Sequence, residues 1–222
     1  MMFQHTHPYE PFLFPEVTKL IVGTLPPPRF TTKELKPGDV NFCYGSRDGQ
    51  LWPILDQIFK LNLEYKTSIE AINQRKAFLR SRNIGICDIV ASAKRLKVDA
   101  SDLGMIDVKL RNLIDYLHKY TLVDTLLFTG GNSKNGPEYF FRKLLKSKGL
   151  NLEVLCNKLP RIHQFEIGIG DVKRKIKTVS LIAPSGSANR AIGSLESYKK
   201  SKEKDPSYTT IDFRIAQYKN FF

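Results

Sequence analysis

Long apolar runs are missing from this chain. None approaches the roughly 20 residues needed to cross a bilayer, and the opening MMFQHTHPYEPF has no basic stretch leading into an apolar one. These absences predict a soluble, cytoplasmic protein without a membrane partner, associated with the nucleoid if the source is bacterial. Cysteine is scarce: Cys43, Cys87 and Cys156 are far apart, odd in number and outside any C-x-x-C pattern, which excludes a disulfide framework and a zinc site. No pair of histidines has metal-ligand spacing; His118 falls on the polar side of a helical pattern, His5 and His7 in the N-terminal stretch, and His163 has no assigned role. Neither G-x-x-x-x-G-K-[ST] nor G-x-G-x-x-G occurs at a strand end, which removes the phosphate-loop ATPases and the dinucleotide enzymes. No metal or organic cofactor is expected. Acidic residues are also in short supply, 22 Asp and Glu against 35 Lys and Arg, and a net charge of +13 favours polyanions, nucleic acid above all.

What is present is alternation. The 222 residues, 41% of them hydrophobic, can bury one sizeable core, so a single domain over 1–222 is expected, with 1–17 as an N-terminal arm and 194–222 as a charged linker plus a closing helix. Apolar runs suited to buried strands occur at 19–24, 83–90, 123–130 and 178–186. Helical patterns separate them, at LWPILDQIFKLN, SIEAINQRKAFLRSR, DVKLRNLIDYLHKY with Asp107 as its cap, and GPEYFFRKLLKSKG. The order predicts an α/β protein, a three-layer α/β/α arrangement around a central, mainly parallel sheet of about four strands.

In such folds ligands collect at the carboxyl ends of the strands. The loops that follow the four runs, GTLPPPRF, CDIVASAKR, TGGNSKNGP and APSGSANRAI, are rich in Gly, Pro, Ser and Asn, residues whose backbone turns tightly or approaches a ligand closely. LIVGTLPPPRF is the most distinctive, because a buried strand runs directly into three prolines that fix φ and lack an N–H. Such a loop either shapes a rigid wall or merely ends the strand.

Three pieces in order, Gly23-Thr24-Leu25-Pro26, the segment from Tyr44 to Trp52 (YGSRDGQLW), and Pro184 to Arg190 (PSGSANR), resemble the uracil-DNA glycosylase superfamily, in its mismatch-specific and hypoxanthine-type branches. The resemblance covers roughly residues 18–193. It implies a uracil-DNA glycosylase-like fold and base excision from DNA, with uracil favoured and hypoxanthine second, by a monomer acting in base-excision repair. On that reading the proline-braced loop after Gly23, with Leu25 and Pro26, shapes a slot for an extruded base. Tyr44 stacks on the base, with Phe42 the other aromatic in reach or a core residue, and Asp88 bonds a base edge or caps the next helix. Ser185, Gly186, Ser187, Asn189 and Arg190 press on the flanking phosphates or the minor groove. Trp52 is core.

The chain departs from the family where the chemistry lies. Relatives use Asp or Asn in the first motif, or an Asn shortly before the Phe/Leu-Trp pair; here Leu25 and Gly49 stand in those places, and Ser187 or Ala188 stands where the mismatch-specific branch has a bulky wedge. The carboxylate at hand is Asp48, placed to hold water or face the cationic sugar, with Thr24 and Ser46 as hydroxyl partners; Arg47-Asp48-Gly49 is equally a turn signal. No lysine falls in these motifs, so water is the expected nucleophile. Basic pairs at Arg75-Lys76, Arg80-Arg82, Lys94-Arg95 and Lys173–Lys175 read as solvated surface unless they align on one face. The competing readings are a superfamily member without catalysis that binds nucleic acid or a free nucleotide, and a hydrolase of small nucleosides.

Overall fold

The structure, a computed structural model, describes residues 2–169 and 172–222. In chain order the elements are β1 (Phe3–Thr6), β2 (Lys19–Val22), α1 (Pro28–Thr31), α2 (Leu51–Phe59), α3 (Ile69–Ser81), β3 (Ile84–Ile86), β4 (Val90–Arg95), β5 (Met105–Leu110), α4 (Leu113–Lys119), β6 (Thr125–Phe128), α5 (Pro137–Ser147), β7 (Glu153–Cys156), β8 (Arg161–Ile169), β9 (Val172–Ser180), α6 (Asn189–Gly193), α7 (Glu196–Lys204) and α8 (Thr210–Tyr218). The protein is α/β with a mixed central sheet of six strands in the order β3-β2-β6-β9-β8-β7. The first four are parallel and correspond to the four apolar runs; β8 and β7 extend the sheet antiparallel.

β2, β3, β6 and the end of β9 are buried on both faces, which is why they read as unbroken apolar runs rather than alternation. Leu20, Val22, Leu126 and Phe128 enter one apolar cluster with Leu113, Leu117, Phe140, Phe141 and Leu145 of α4 and α5. Ile21, Leu127 and Val179 point the other way, into a cluster with Trp52, Leu55, Phe78, Leu79 and Tyr218 of α2, α3 and α8. Local signals set the helix starts. The Ser68 hydroxyl accepts the Ala71 N–H at 3.2 Å, Pro137 opens α5, and Thr209 and Asp212 form a reciprocal capping box on α8.

Several expectations are corrected. The run at 83–90 is two strands: Cys87 and Ile89 still donate to Ile21 and Gly23 of the β2 side, and the chain then leaves the central sheet to pair β4 with β1 and β5 in a second, three-stranded sheet. The helix expected from Asp107 starts six residues later, because Met105–Leu110 alternates in burial and pairs with β4; Asp107 has φ 49° and pairs with Lys94 instead of capping. The strand expected at 178–186 begins at Val172 and ends at Ser180, its first half hidden from a reading of apolar runs because one face carries Lys173, Lys175 and Lys177. The expected N-terminal arm, whose described residues are 2–17, is not free: β1 pairs with β4, and the rings of His5 and His7 are buried. Residues 196–204, expected as linker, are a largely exposed helix ahead of the closing helix α8. Two of the supposed surface arginines are buried. Arg75 lies over the Trp52 ring, 5.3 Å from its centroid, and Arg95 donates to His5 Nδ1 at 2.7 Å. Burial, reinforced by Arg95, lowers the His5 pKa to about 4, so the ring is neutral and free to accept.

Candidate functional site

A cavity of about 790 Å³ opens at the carboxyl ends of β2, β6 and β9. At its back stands Asp88, which follows β3. Oδ1 accepts the Gly23 N–H at 2.6 Å and the Tyr44 phenol at 2.7 Å; Oδ2 lies 3.0 Å from His7 Nε2. A carboxylate only accepts, so Nε2 carries a proton, while Nδ1 lies 2.9 Å from the Tyr9 carbonyl oxygen and 3.2 Å from the Tyr9 nitrogen. Arg111 braces the same loop through the Asp88 and Tyr9 carbonyls. The Tyr44 oxygen also meets Thr129 Oγ1 at 3.2 Å. Burial, with Asp88 beside it, pushes the Tyr44 phenol well above its ordinary pKa, so it remains a donor.

This cluster explains the glycine that follows β2. A Cβ on Gly23 would fall inside contact distance of the Tyr44 hydroxyl, Asp88 Oδ1 and Thr129 Oγ1. Tyr44 itself has φ 58°, an uncommon conformation for an aromatic residue, set by the tight loop in which the Val40 N–H donates to the Gly45 carbonyl and the Gly45 N–H to the Phe42 carbonyl.

The mouth is organised by Arg29 of α1. Its Nε and Nη2 grip buried Asp39 at 2.7 and 2.8 Å, and Nη2 also reaches Ser46 Oγ at 2.9 Å and Asp48 Oδ2 at 3.1 Å. Burial disfavours ionised Asp39, but Arg29 and the backbone N–H groups of Arg47 and Lys36 outweigh it and hold the pKa at about 2. The Asp48 side chain is 70% exposed. The late loop lies opposite: Gln50 donates to Pro184 at 2.9 Å, and the hydroxyls of Ser185 and Ser187 meet at 2.8 Å. That loop is fixed from beneath by buried Arg214 of α8, which donates to the carbonyls of Ala183 and Ser185 and to Asn189 Oδ1.

The third wall is the turn between β4 and β5. Asp102 Oδ1 accepts the Thr24 hydroxyl at 2.7 Å, and Asn135 Nδ2 holds the turn through the carbonyls of Asp102 and Met105. Burial raises the Asp102 pKa to about 6, against the Thr24 hydrogen bond and the attraction of Arg95.

Of the residues singled out from sequence, Thr24, Leu25, Pro26, Tyr44, Ser46, Asp48, Asp88, Ser185 and Ser187 line the cavity, and Gly23 sits behind Tyr44 and Asp88. Phe42 does not: it is buried in the core against Trp52 and Phe12. Asp88 caps no helix, because the chain enters β4 beyond it. Gly186, Asn189 and Arg190 lie outside the lining; Asn189 is engaged by Arg214 and Thr210, and Arg190 is exposed. Sequence reading missed His7, Arg29, Asp39, Asp102, Thr129 and Arg214. An arginine inside the apolar pattern of TTIDFRIAQY was the one local sign of a buried structural role. Lys134, outside the motifs, also reaches the cavity wall. Among the described residues no three His, Cys, Asp or Glu side chains are grouped to hold a metal ion, and no helix is long and apolar enough to cross a membrane. The chain matches no family model, no curated protein and no solved structure.

Proposed function

We propose that the chain is a monofunctional DNA glycosylase with a three-layer, uracil-DNA glycosylase-like fold, hydrolysing the N-glycosidic bond of an extruded deaminated base, uracil first and hypoxanthine second. The observation that carries the reading is the convergence of the proline loop, the Tyr44 segment, the Asp88 loop and the serine loop on one cavity at the strand ends. Three of these, the proline loop, the Tyr44 segment and the serine loop, are the pieces that resemble the family, and they come from distant parts of the chain.

The interior of the cavity takes the base. Its walls are the proline-braced backbone at Leu25 and Pro26 and the Tyr44 ring, whose face gains roughly 1 to 3 kcal/mol by stacking on a base. The mouth takes the sugar. There Asp48 stabilises the oxocarbenium-like transition state and orients water, and Ser46, whose oxygen already accepts from Arg29 and from the Asp48 N–H, keeps its own proton to donate. The water oxygen bonds to C1′ as the C1′–N bond breaks; the bond's electron pair leaves on the base nitrogen, and the water proton passes to Asp48 and then to solvent. Ser185 and Ser187 on the rim, with exposed Arg190 nearby, face the flanking phosphates.

A second reading is favoured by one observation: Arg29 already engages Asp48, and Leu25 and Gly49 replace the family's catalytic groups. The protein would then bind a damaged strand or a free nucleotide without hydrolysis. Incubation with duplexes carrying uracil, hypoxanthine or a mismatch, alongside free nucleosides, separates the readings. Release of uracil from DNA alone is expected; release from nucleosides alone makes the protein a nucleoside hydrolase, and binding without release supports the second reading.

A further inference from the structure

Of the two carboxylates at the back of the base slot, one keeps an uncommitted oxygen; the other buried acceptor without a partner on the cavity wall is Gln50 Oε1, nearer the mouth. Both oxygens of Asp88 are taken, by Gly23, Tyr44 and His7. Asp102 lines the same cavity; its Oδ1 accepts from Thr24, while Oδ2 has no hydrogen-bond partner among the described residues and the carboxylate forms no ion pair among them. Its position is fixed through its own backbone, since Asn135 Nδ2 donates to its carbonyl at 2.9 Å. A held carboxylate oxygen at the wall of a slot selects for an N–H donor and against a lone pair, because a buried acceptor facing an acceptor leaves both unsatisfied.

Deamination changes this feature of a base. Uracil carries a ring N–H at N3 and hypoxanthine at N1, where cytosine and adenine carry a lone pair. We propose that Asp102 reads the ring N–H of the extruded base through Oδ2, so that the site admits lactam bases and rejects their amino precursors. The inference rests on the cavity being a base pocket. It accounts for one slot taking both a pyrimidine and a purine product of deamination, since the feature read is common to both. Thymine and guanine are also lactams, so Asp102 does not exclude them; the cost of extruding a well-paired base does.

Only ionised Asp102 discriminates in this way; protonated, it donates to a lone pair instead. The charged and titratable groups around it are Arg95 and Asp99 on its own hairpin, Asp88 after β3, His7 after β1 and Lys134 after β6. Arg95 favours the ionised form and Asp88 opposes it, with burial the largest influence and the pKa at about 6. Selectivity is therefore full above that pH and fades below it.

The test uses duplexes with 2′-fluoro-2′-deoxyuridine or 2′-fluoro-2′-deoxycytidine opposite a tetrahydrofuran abasic site. The fluorine blocks cleavage, and neither base has a partner to lose on extrusion. At pH 7.5 the wild type should bind the uridine duplex about 10- to 100-fold more tightly than the cytidine duplex, and at pH 5 the ratio should collapse. Asp102→Asn, whose amide presents either a donor or an acceptor, should show a ratio near one at both pH values with unchanged affinity for an undamaged duplex. Thr24→Val keeps the carboxylate but removes a hydrogen bond that stabilises its ionised form, so the pH at which selectivity fades should rise. A wild-type ratio near one, a full ratio in Asp102→Asn, or a fade point unmoved in Thr24→Val overturns the inference while leaving the base pocket standing. If the wild type binds neither duplex better than undamaged DNA, the base pocket and the inference fall together.

Discussion

The phenol of Tyr44 donates to Oδ1 of Asp88 at 2.7 Å, and the same oxygen takes the N–H of Gly23 at 2.6 Å. One carboxylate thus ties the aromatic wall of the cavity to the end of the central strand β2. The left-handed backbone at Tyr44 costs about 1 kcal/mol or more, and these bonds are what hold it in place.

Tyr44→Ala should weaken binding to a duplex carrying uracil or its abasic product by about 10-fold or more, with little change on undamaged duplex, since a base is stacked only after extrusion. Tyr44→Phe keeps the ring and loses the hydrogen bond, and should cost about 1 to 2 kcal/mol of stability with stacking retained. Equal losses on both duplexes in the Ala variant would make Tyr44 a structural residue only.

Gly23→Ala should be far more damaging than its single methyl suggests. The new carbon collides with the Tyr44 hydroxyl, Asp88 Oδ1 and Thr129 Oγ1 at once, which predicts a loss of about 2 to 3 kcal/mol in denaturant unfolding. Unchanged stability would mean that the cluster is looser than these contacts require.

Asp102 should make the protein less stable at neutral than at mildly acidic pH. Its pKa rises from an ordinary 3.8 to about 6 on folding, chiefly through burial, so between those values the folded state binds more protons than the unfolded one, and stability falls as pH rises. The difference is at most about 3 kcal/mol. Buried His5, with its pKa lowered to about 4, contributes with the opposite sign over the same range, so the Asp102 contribution is read as a difference: from pH 4 to pH 7 the change in denaturation midpoint should be more favourable in Asp102→Asn than in the wild type, and equal changes would place the titration elsewhere.

Binding to DNA should weaken steeply with salt. With a net charge of +13 and four to six phosphate contacts, the slope of log affinity against log salt should be roughly −4 to −5. A flat dependence would remove nucleic acid as the partner.

The four parallel strands were legible where both faces are buried, which covers β2, β3 and β6 throughout and only the end of β9. The strands that escaped have mixed surroundings: β1 is the short, half-polar FQHT, and the start of β9 alternates lysines with Arg174 and Ile176. The loops of the cavity were legible through their Gly, Pro and Ser content, but the partnerships within it were not. His7 and Tyr44 stand 81 and 44 positions from Asp88, and nothing in the intervening sequence signals the pairing. Asp102 looks like one more charge in a polar hairpin turn; its burial exists only because Thr24 and Asn135 bring that turn over the end of β2.

The account stands most directly on single-turnover release of uracil from duplex DNA, compared between wild type, Asp48→Ala and Asp48→Asn, with borohydride added to parallel reactions. The wild type should release uracil without a trapped adduct, because water and not Lys134 is the nucleophile. Asp48→Ala should be slower by about 10² to 10⁴ with product affinity and stability nearly unchanged, the pattern of an interaction made mainly in the transition state. Asp48→Asn should keep substantial activity if the side chain chiefly holds water, and lose nearly all of it if the negative charge is what matters. A wild type that releases no uracil, or an Asp48→Ala variant that releases it at the wild-type rate, would contradict the account.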